Sequence, residues 1–405
     1  MTVFCNYYEQ GICRSCTQLP IPYPEQLLRK ENQLITSLAA VTSLCAPSLT
    51  AITSTSPASP QKNAHITLLP TRSGPLQGFR NKIKMSVAGT TAEPLIGILH
   101  ADDLDQGKEI LDCPVHHPQL NLVLHALKIF IPLAKLVPYQ VSQRRGELKG
   151  LISFYSPESN EMYLRFILRS TESLERIRKY APALLSEFPF LTCITGNIQP
   201  IPHAILEGTE EILLAGQPTI THRLGNLNFK IRPQGFVQTN QIVAQQLYET
   251  AAEWMKEMKT QRLVELFCGQ GAFSFFAKDV IAAGLGIEIN AEAVAAANLA
   301  AQNLQVPYLH FQTADAAKVE SALQAFAPDT VLVNPPRRGL GHSIALLQNS
   351  AFPYLIYSSC SHQSLAKDLQ QLPQYEIKKI QIFDLFPHTE HFETLVLLKS
   401  KMVNA

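Results

Sequence analysis

The rhythm of apolar and polar positions divides the chain into three stretches. Glu25-Gln-Leu-Leu-Arg-Lys-Glu-Asn-Gln-Leu-Ile-Thr-Ser-Leu38 reads as a short helix, and residues 48–64, rich in Ser, Thr, Ala and Pro, read as a flexible surface loop. From about 75 to 230 the pattern is one of short strands with turn signals. In Phe79-Arg-Asn-Lys-Ile-Lys-Met85 the period is two, with Arg80, Lys82 and Lys84 on one face and Phe79, Ile83 and Met85 on the other. From Gln241 a helix over 241–255 precedes strands expected at 262–267, 284–289, 308–312, 329–333, 354–358, 376–383 and 393–399. Alternating strands and helices predict an α/β fold with a parallel, doubly wound sheet, and the last two strands, which follow each other without a helix, could form an antiparallel hairpin. The expected division is an N-terminal cysteine-bearing segment over 1–74, a smaller central α+β domain over 75–235 and a Rossmann-like domain over 236–405.

Composition bounds the class. The 405 residues are 46% hydrophobic and 17% charged, ordinary for a globular enzyme with a sizeable core. No apolar run approaches the roughly 18 residues of a membrane span, and no secretory signal is seen at the N-terminus, so a cytoplasmic protein is expected. Eight cysteines in that compartment suggest ligands or catalysts before disulfides. A net charge of +1 gives no broad attraction to nucleic acid. A local cluster including Arg80, Lys82, Lys84, Arg144, Arg145, Lys149, Arg165, Arg169, Arg176, Arg178 and Lys179 makes phosphate contact plausible, although a solvated face is the commoner meaning of such charges.

Candidate chemistry gathers in the last third. Arg262-Leu-Val-Glu-Leu-Phe267 is a strand running into Cys268-Gly-Gln-Gly271, and Glu288 ends the next strand, 17 residues beyond Gly271. Glycines at such a turn admit a ligand to the backbone, and an acid at the second strand end can accept from ribose hydroxyls. A single glycine pair without the third glycine of the dinucleotide fingerprint favours S-adenosylmethionine over NAD. Phe267, Glu288, Asn334 and Cys360 all fall at carboxyl ends of strands, where ligands of open α/β sheets bind. Pro335 and Pro336 fix the chain just after Asn334. Cys360, flanked by Ser358, Ser359 and Ser361, is a candidate nucleophile, although a lone strand-end cysteine is more often a small packing residue. Glu393, between Phe392 and Thr394, is a candidate base whose burial would raise its pKa. Cys45, Cys193 and Cys268 read as structural and Trp254 as core. Cys5, Cys13 and Cys16 are spaced C-x7-C-x2-C, which suits a zinc or an iron–sulfur site.

In these motifs the chain resembles the S-adenosylmethionine-dependent RNA uracil-C5 methyltransferases. The carrying stretches include Gly11-Ile-Cys-Arg-Ser-Cys16, Gly78-Phe-Arg-Asn-Lys-Ile-Lys-Met85, Phe236-Val-Gln-Thr-Asn240, Leu266-Phe-Cys-Gly269, Val333-Asn-Pro-Pro-Arg-Arg-Gly339, Tyr357-Ser-Ser-Cys360 and Phe386-Pro-His-Thr-Glu-His-Phe-Glu393. The resemblance implies that Gln238, Phe267, Glu288 and Asn334 hold the cofactor, that Cys360 is the nucleophile and that Glu393 is the base. Many relatives carry aspartate where this chain has Asn334. The resemblance further implies a [4Fe-4S] cluster on Cys5, Cys13, Cys16 and Cys113, and a 23S ribosomal RNA substrate, with transfer RNA as the competing one. The rival activity is an amino-group methyltransferase, whose Asn-Pro-Pro motif is normally followed by an aromatic residue. Arg337 stands there instead, and that chemistry has no use for Cys360.

Overall fold

The structure, a computed structural model, describes residues 3–42, 66–100, 102–201, 207–350 and 352–402. The stretch 48–64 read as a loop, and Cys45, lie outside the described residues. The chain forms two units: Thr17–Gly74 joins Ile242–Ala405 in one, and Val3–Cys16 joins Pro75–Gln241 in the other.

The strands, in chain order, begin with β1 (Thr67–Arg72), which belongs to the first of these units. The second unit holds β2 (Lys82–Gly89), β3 (Pro94–Leu99), β4 (Gly107–Glu109), β5 (Leu148–Ser156), β6 (Glu161–Leu168), β7 (Leu191–Ile198) and β8 (Glu210–Gly216) in one sheet of order β4-β3-β2-β5-β6-β7-β8. Only β6 and β7 pair in parallel, because the helix Leu174–Glu187 carries the chain between them; every other pairing is antiparallel. The central strands β5 and β6 are buried on both faces and carry the apolar run that demands. That helix and Pro118–Leu133, capped by the His117 side chain with Pro118 at its first turn, pack their apolar stripes onto the sheet. A separate ribbon, β9 (Ile220–Leu224) and β10 (Leu227–Ile231), turns through Gly225-Asn226.

The remaining strands, β11 (Arg262–Leu266), β12 (Ala283–Glu288), β13 (Leu309–Thr313), β14 (Thr330–Val333), β15 (Tyr354–Ser359), β16 (Tyr375–Phe383) and β17 (Glu393–Ser400), join β1 in an eight-stranded sheet of order β1-β16-β17-β15-β14-β11-β12-β13. Pairing is parallel throughout except at β17, which runs antiparallel to both β15 and β16. The α/β class and the terminal hairpin are as expected. The edge strand β1 is not expected from its sequence, because Pro70 interrupts it. Proline cannot extend a ladder, and β1 is an edge strand with a register shift between Leu69 and Arg72. Trp254 and Cys193 are core residues.

Candidate active site

The carboxyl edge of the eight-stranded sheet collects the chemistry. β11, β12, β14 and β15 are neighbours and parallel, so Phe267, Glu288, Asn334 and Cys360 emerge at one edge. β17 runs the other way, so its first residue, Glu393, lies at the edge where β15 ends. Ser359 pairs with Thr394 in register, and the next positions along that ladder are Cys360 and Glu393. Ser358, two residues before Cys360, shares its face and donates to Glu393 Oε1 at 2.7 Å.

Glu393 is 3% exposed. Burial pushes its carboxyl from 4.5 to about 7, with the Ser358 hydrogen bond opposing. Burial also raises the half-buried Cys360 thiol, and the Glu393 carboxylate raises it further; the Arg337 guanidinium, hydrogen-bonded to the thiol, opposes both. On the opposite face of β15, Tyr357 OH donates to the buried Asp368 at 2.6 Å, and Asp368 accepts Leu340 N–H at 2.8 Å, which ties β15 to the turn after Asn334. Ser361 caps the helix His362–Gln370 that starts just past the thiol.

At the glycine turn, Phe267 takes φ +59°, a left-handed conformation that is an outlier for a bulky residue. Gly269, at φ +54°, faces open space where a side chain would stand, whereas a Cβ at Gly271 would run into the Phe311 ring. The first glycine leaves room for a ligand and the second permits packing. Glu288 is oriented by the N–H groups of Gly269 at 3.0 Å and Asn290 at 2.9 Å, and Ile289 beside it is exposed. Beneath the turn, Glu265 accepts from Ser274 N–H at 2.9 Å, and burial pushes it to about 7. Asn334 N–H donates to Leu266 O at 3.3 Å, joining the two turns. Gln238 belongs to the other unit.

The loop leading into Glu393 is held by the N-terminal helix Tyr23–Thr42. Lys30 Nζ donates to Asp384 Oδ1 at 2.6 Å and to Phe386 O at 3.1 Å, and Tyr23 OH reaches Asp384 Oδ2 at 2.7 Å. Gln26 Oε1 accepts His388 N–H at 2.9 Å, and Gln18 N–H donates to His388 O at 2.9 Å. His388 sits at φ +66°, so this loop is over-determined by its contacts.

Cys5, Cys13, Cys16 and Cys113 all lie in the unit that contains the central sheet. Tyr7 OH accepts Leu111 N–H and Asp112 N–H, both at 3.1 Å, which seats the N-terminal turn beside the Cys113 loop. Burial pushes Cys16 up to about 12, and Cys113, Cys13 and Cys5 add to the rise, so the four thiols stand within electrostatic reach of one another. All four are free thiols. Among the described residues, no three His, Cys, Asp or Glu side chains are drawn into a metal-ligand set.

The basic cluster is largely spoken for. Lys84 pairs with Glu207, Arg169 with Glu147, Arg176 with Glu172 and Arg178 with Glu175. Arg165 has a fully buried side chain held by Glu211 and Glu207. Burial lowers Lys82 to about 8, and its amine donates to Gly235 O at 3.3 Å. Arg80 lies beside Cys16 and His116 and lowers the pKa of both. The period-two pattern holds in β2, but period alone does not reveal carboxylates brought in from β8 and its approach. Arg144 and Arg145 remain exposed. Sequence reasoning also passed over Arg337 and Ser358 as partners of the thiol and the carboxylate. Their only signal was position, one just after Pro335-Pro336 and the other two residues before Cys360.

A sequence model of the tRNA (Uracil-5-)-methyltransferase family matches residues 218–401. Over 397 residues the chain is 42% identical to the 23S rRNA (uracil(747)-C(5))-methyltransferase RlmC of Escherichia coli O127:H6, covering 97% of this chain and 99% of that protein. It is 41% identical over the same length, with the same coverage, to the protein of that name from Shigella sonnei. It shares its fold with the Pyrococcus abyssi tRNA (uracil-54, C5)-methyltransferase solved with S-adenosyl-L-homocysteine, at a TM-score of 0.75 and 21% identity over 95% of this chain and 85% of that one. With an identity of this order along nearly its whole length, the chain belongs to the tRNA (uracil-5-)-methyltransferase family.

Proposed function

We propose that the protein transfers a methyl group from S-adenosylmethionine to carbon 5 of a specific uracil in 23S ribosomal RNA. The observation that carries the reading is the pairing of a thiol and a buried carboxylate, Cys360 and Glu393, at the end of one strand ladder and at the same sheet edge as the glycine turn. The ribosomal substrate follows the names of the relatives.

The open space at Gly269, the oriented Glu288 carboxylate and the exposed Ile289 fit the cofactor. Phe267, Glu288 and Asn334 would hold it at the strand ends. When bound, it supplies an electrophilic methyl group. The protein's own part is covalent and acid–base. The Cys360 thiolate adds to carbon 6 of the flipped uracil, and the electron pair displaced toward carbon 5 makes that carbon nucleophilic. Arg337 favours the thiolate that burial disfavours. Once carbon 5 is methylated, Glu393 takes its proton, the carbon 5–carbon 6 double bond re-forms, and Cys360 leaves as thiolate.

The four thiols suit a metal centre by donor chemistry alone, since a cationic centre would offset the burial and the weaker thiol–thiol repulsion that raise Cys16. The family likeness favours a [4Fe-4S] cluster over zinc, with a structural or RNA-positioning role, because methyl transfer needs no electron.

The test is incubation with 5-fluorouridine-substituted RNA and S-adenosylmethionine, which stalls the reaction before release of the enzyme. A denaturation-resistant adduct is expected, and it disappears in Cys360→Ala. Normal methylation by Cys360→Ala would overturn the proposal.

A further inference from the structure

A cleft of about 490 Å³ opens between the N-terminal helix Tyr23–Thr42 and the start of the helix His362–Gln370. That volume lies in the range of small-ligand sites. Its helix wall presents Asn32, Gln33 and Ser37, and the opposite wall presents His362 and Glu390. His362 is two residues past Cys360 and Glu390 three residues before Glu393, so the cleft is lined by the same two segments that carry the thiol and the carboxylate. His362 is fixed in place: Ser37 Oγ meets its Nδ1 at 2.6 Å, and its ring stacks on Phe392 at 5.5 Å with the planes 11° apart. Burial lowers its pKa, which favours the uncharged imidazole.

The lining is mostly neutral amide and hydroxyl, the side-chain set that reads base edges. The charged groups lining it are Arg29 and Glu390, one of each sign, which does not make a phosphate cradle. Two lining residues, Gln18 and Gln33, each keep a buried Oε1 that has no hydrogen-bond donor. An acceptor left this way costs free energy, and the terminal amide torsion of glutamine is broad enough to turn toward a ligand. A donor on that ligand would satisfy it. Flipping the target uracil deprives its neighbours in the strand of a stacking partner, which leaves an adjacent base in need of new contacts.

We infer that this cleft receives the unpaired nucleobase next to the target uracil, a base bearing an exocyclic amino group, and reads it through Gln33 and Asn32. The inference rests on the proposed action on RNA uracil and adds to it a determinant of sequence choice contributed by the N-terminal helix.

The experiment uses the full chain and a 23S ribosomal RNA hairpin carrying the target uridine, with each flanking nucleotide made abasic in turn. Asn32 is exposed, so Asn32→Ala leaves packing untouched, and it is run beside Gln33→Leu. At one flanking position the abasic hairpin should lower kcat/KM of the unaltered enzyme about tenfold or more. Each variant should show a comparable loss on intact RNA and little further loss on that abasic hairpin. A purely structural role for the two side chains would give losses that multiply at every position, and that result overturns the inference. The same hairpin with 5-fluorouridine separates the two levels. Normal adduct formation with multiplying losses removes only the cleft, whereas no adduct with any RNA removes the uracil reading and the cleft with it.

Discussion

Replacing Glu393 by glutamine should change stability and catalysis in ways that can be told apart. In the fold the carboxyl titrates near 7, against 4.5 when it is ordinarily solvated. Between those values the folded state holds a proton that the unfolded state has lost, so stability falls as pH rises through the window. The full difference corresponds to about 3 kcal/mol at about 1.4 kcal/mol per pH unit. Glutamine does not titrate, so Glu393→Gln should gain on the unaltered protein by about 2 kcal/mol or more between pH 5 and pH 8. Glu265, also pushed to about 7, is present in both proteins and cancels. Urea unfolding followed by the fluorescence of Trp254, the single tryptophan and a core residue of the same unit, measures this directly. The Ser358 hydrogen bond opposes the shift and is already contained in the value of about 7. In the reaction the variant should still form the carbon 6 adduct on RNA and release it slowly. A stability difference that is flat in pH would refute the burial argument, and unchanged turnover would refute the assignment of the base.

Three further outcomes follow from the same structure. Arg337→Gln removes the one side chain that lowers the Cys360 thiol, beside a backbone hydrogen bond that stays, so the pH at which adduct formation is half-maximal should move to higher values; a profile superimposable on the unaltered one would exclude Arg337 from thiol activation. Lys30→Met strands Asp384 in a pair whose side chains are fully buried, and should cost about 3–5 kcal/mol in urea unfolding, whereas a loss under 1 kcal/mol would mean the pair is hydrated. Protein purified without oxygen should carry about four irons per chain, and Cys16→Ser should lose them; stoichiometric zinc without iron would replace the cluster with a zinc site.

The catalytic half was the more legible in the sequence, for a physical reason. A doubly wound sheet puts its chemistry at strand ends, and strand ends are visible as apolar runs stopping at a polar residue: Phe267 after β11, Glu288 in β12, Asn334 after β14 and Cys360 after β15. The place of Glu393 beside Cys360 needed the antiparallel return of β17, which the terminal hairpin already suggested. What stayed hidden depends on contacts between distant segments. The carboxylates Glu207 and Glu211 consume Arg165 and Lys84 across more than 40 intervening residues, so a basic stripe looked more available than it is. The role of the N-terminal helix in holding Asp384 and His388 spans more than 350 residues and leaves no periodic trace.

That long reach also governs how the protein can be made. β1 and the helix Tyr23–Thr42 are synthesised early, yet their partners, β16 and the Asp384–His388 loop, emerge from the ribosome only near the end. The intervening central sheet draws on Pro75–Gln241 and the short segment Val3–Cys16, so it can condense during translation. Until the last strands appear, the helix must wait with its apolar stripe and Lys30 unsatisfied, a period in which holdase chaperones would find a client. Pairing across such separations is slow to nucleate. β17, which begins with Glu393, is therefore set in place only late in folding, and a nascent chain stalled before β16 would hold Cys360 without the carboxylate opposite it.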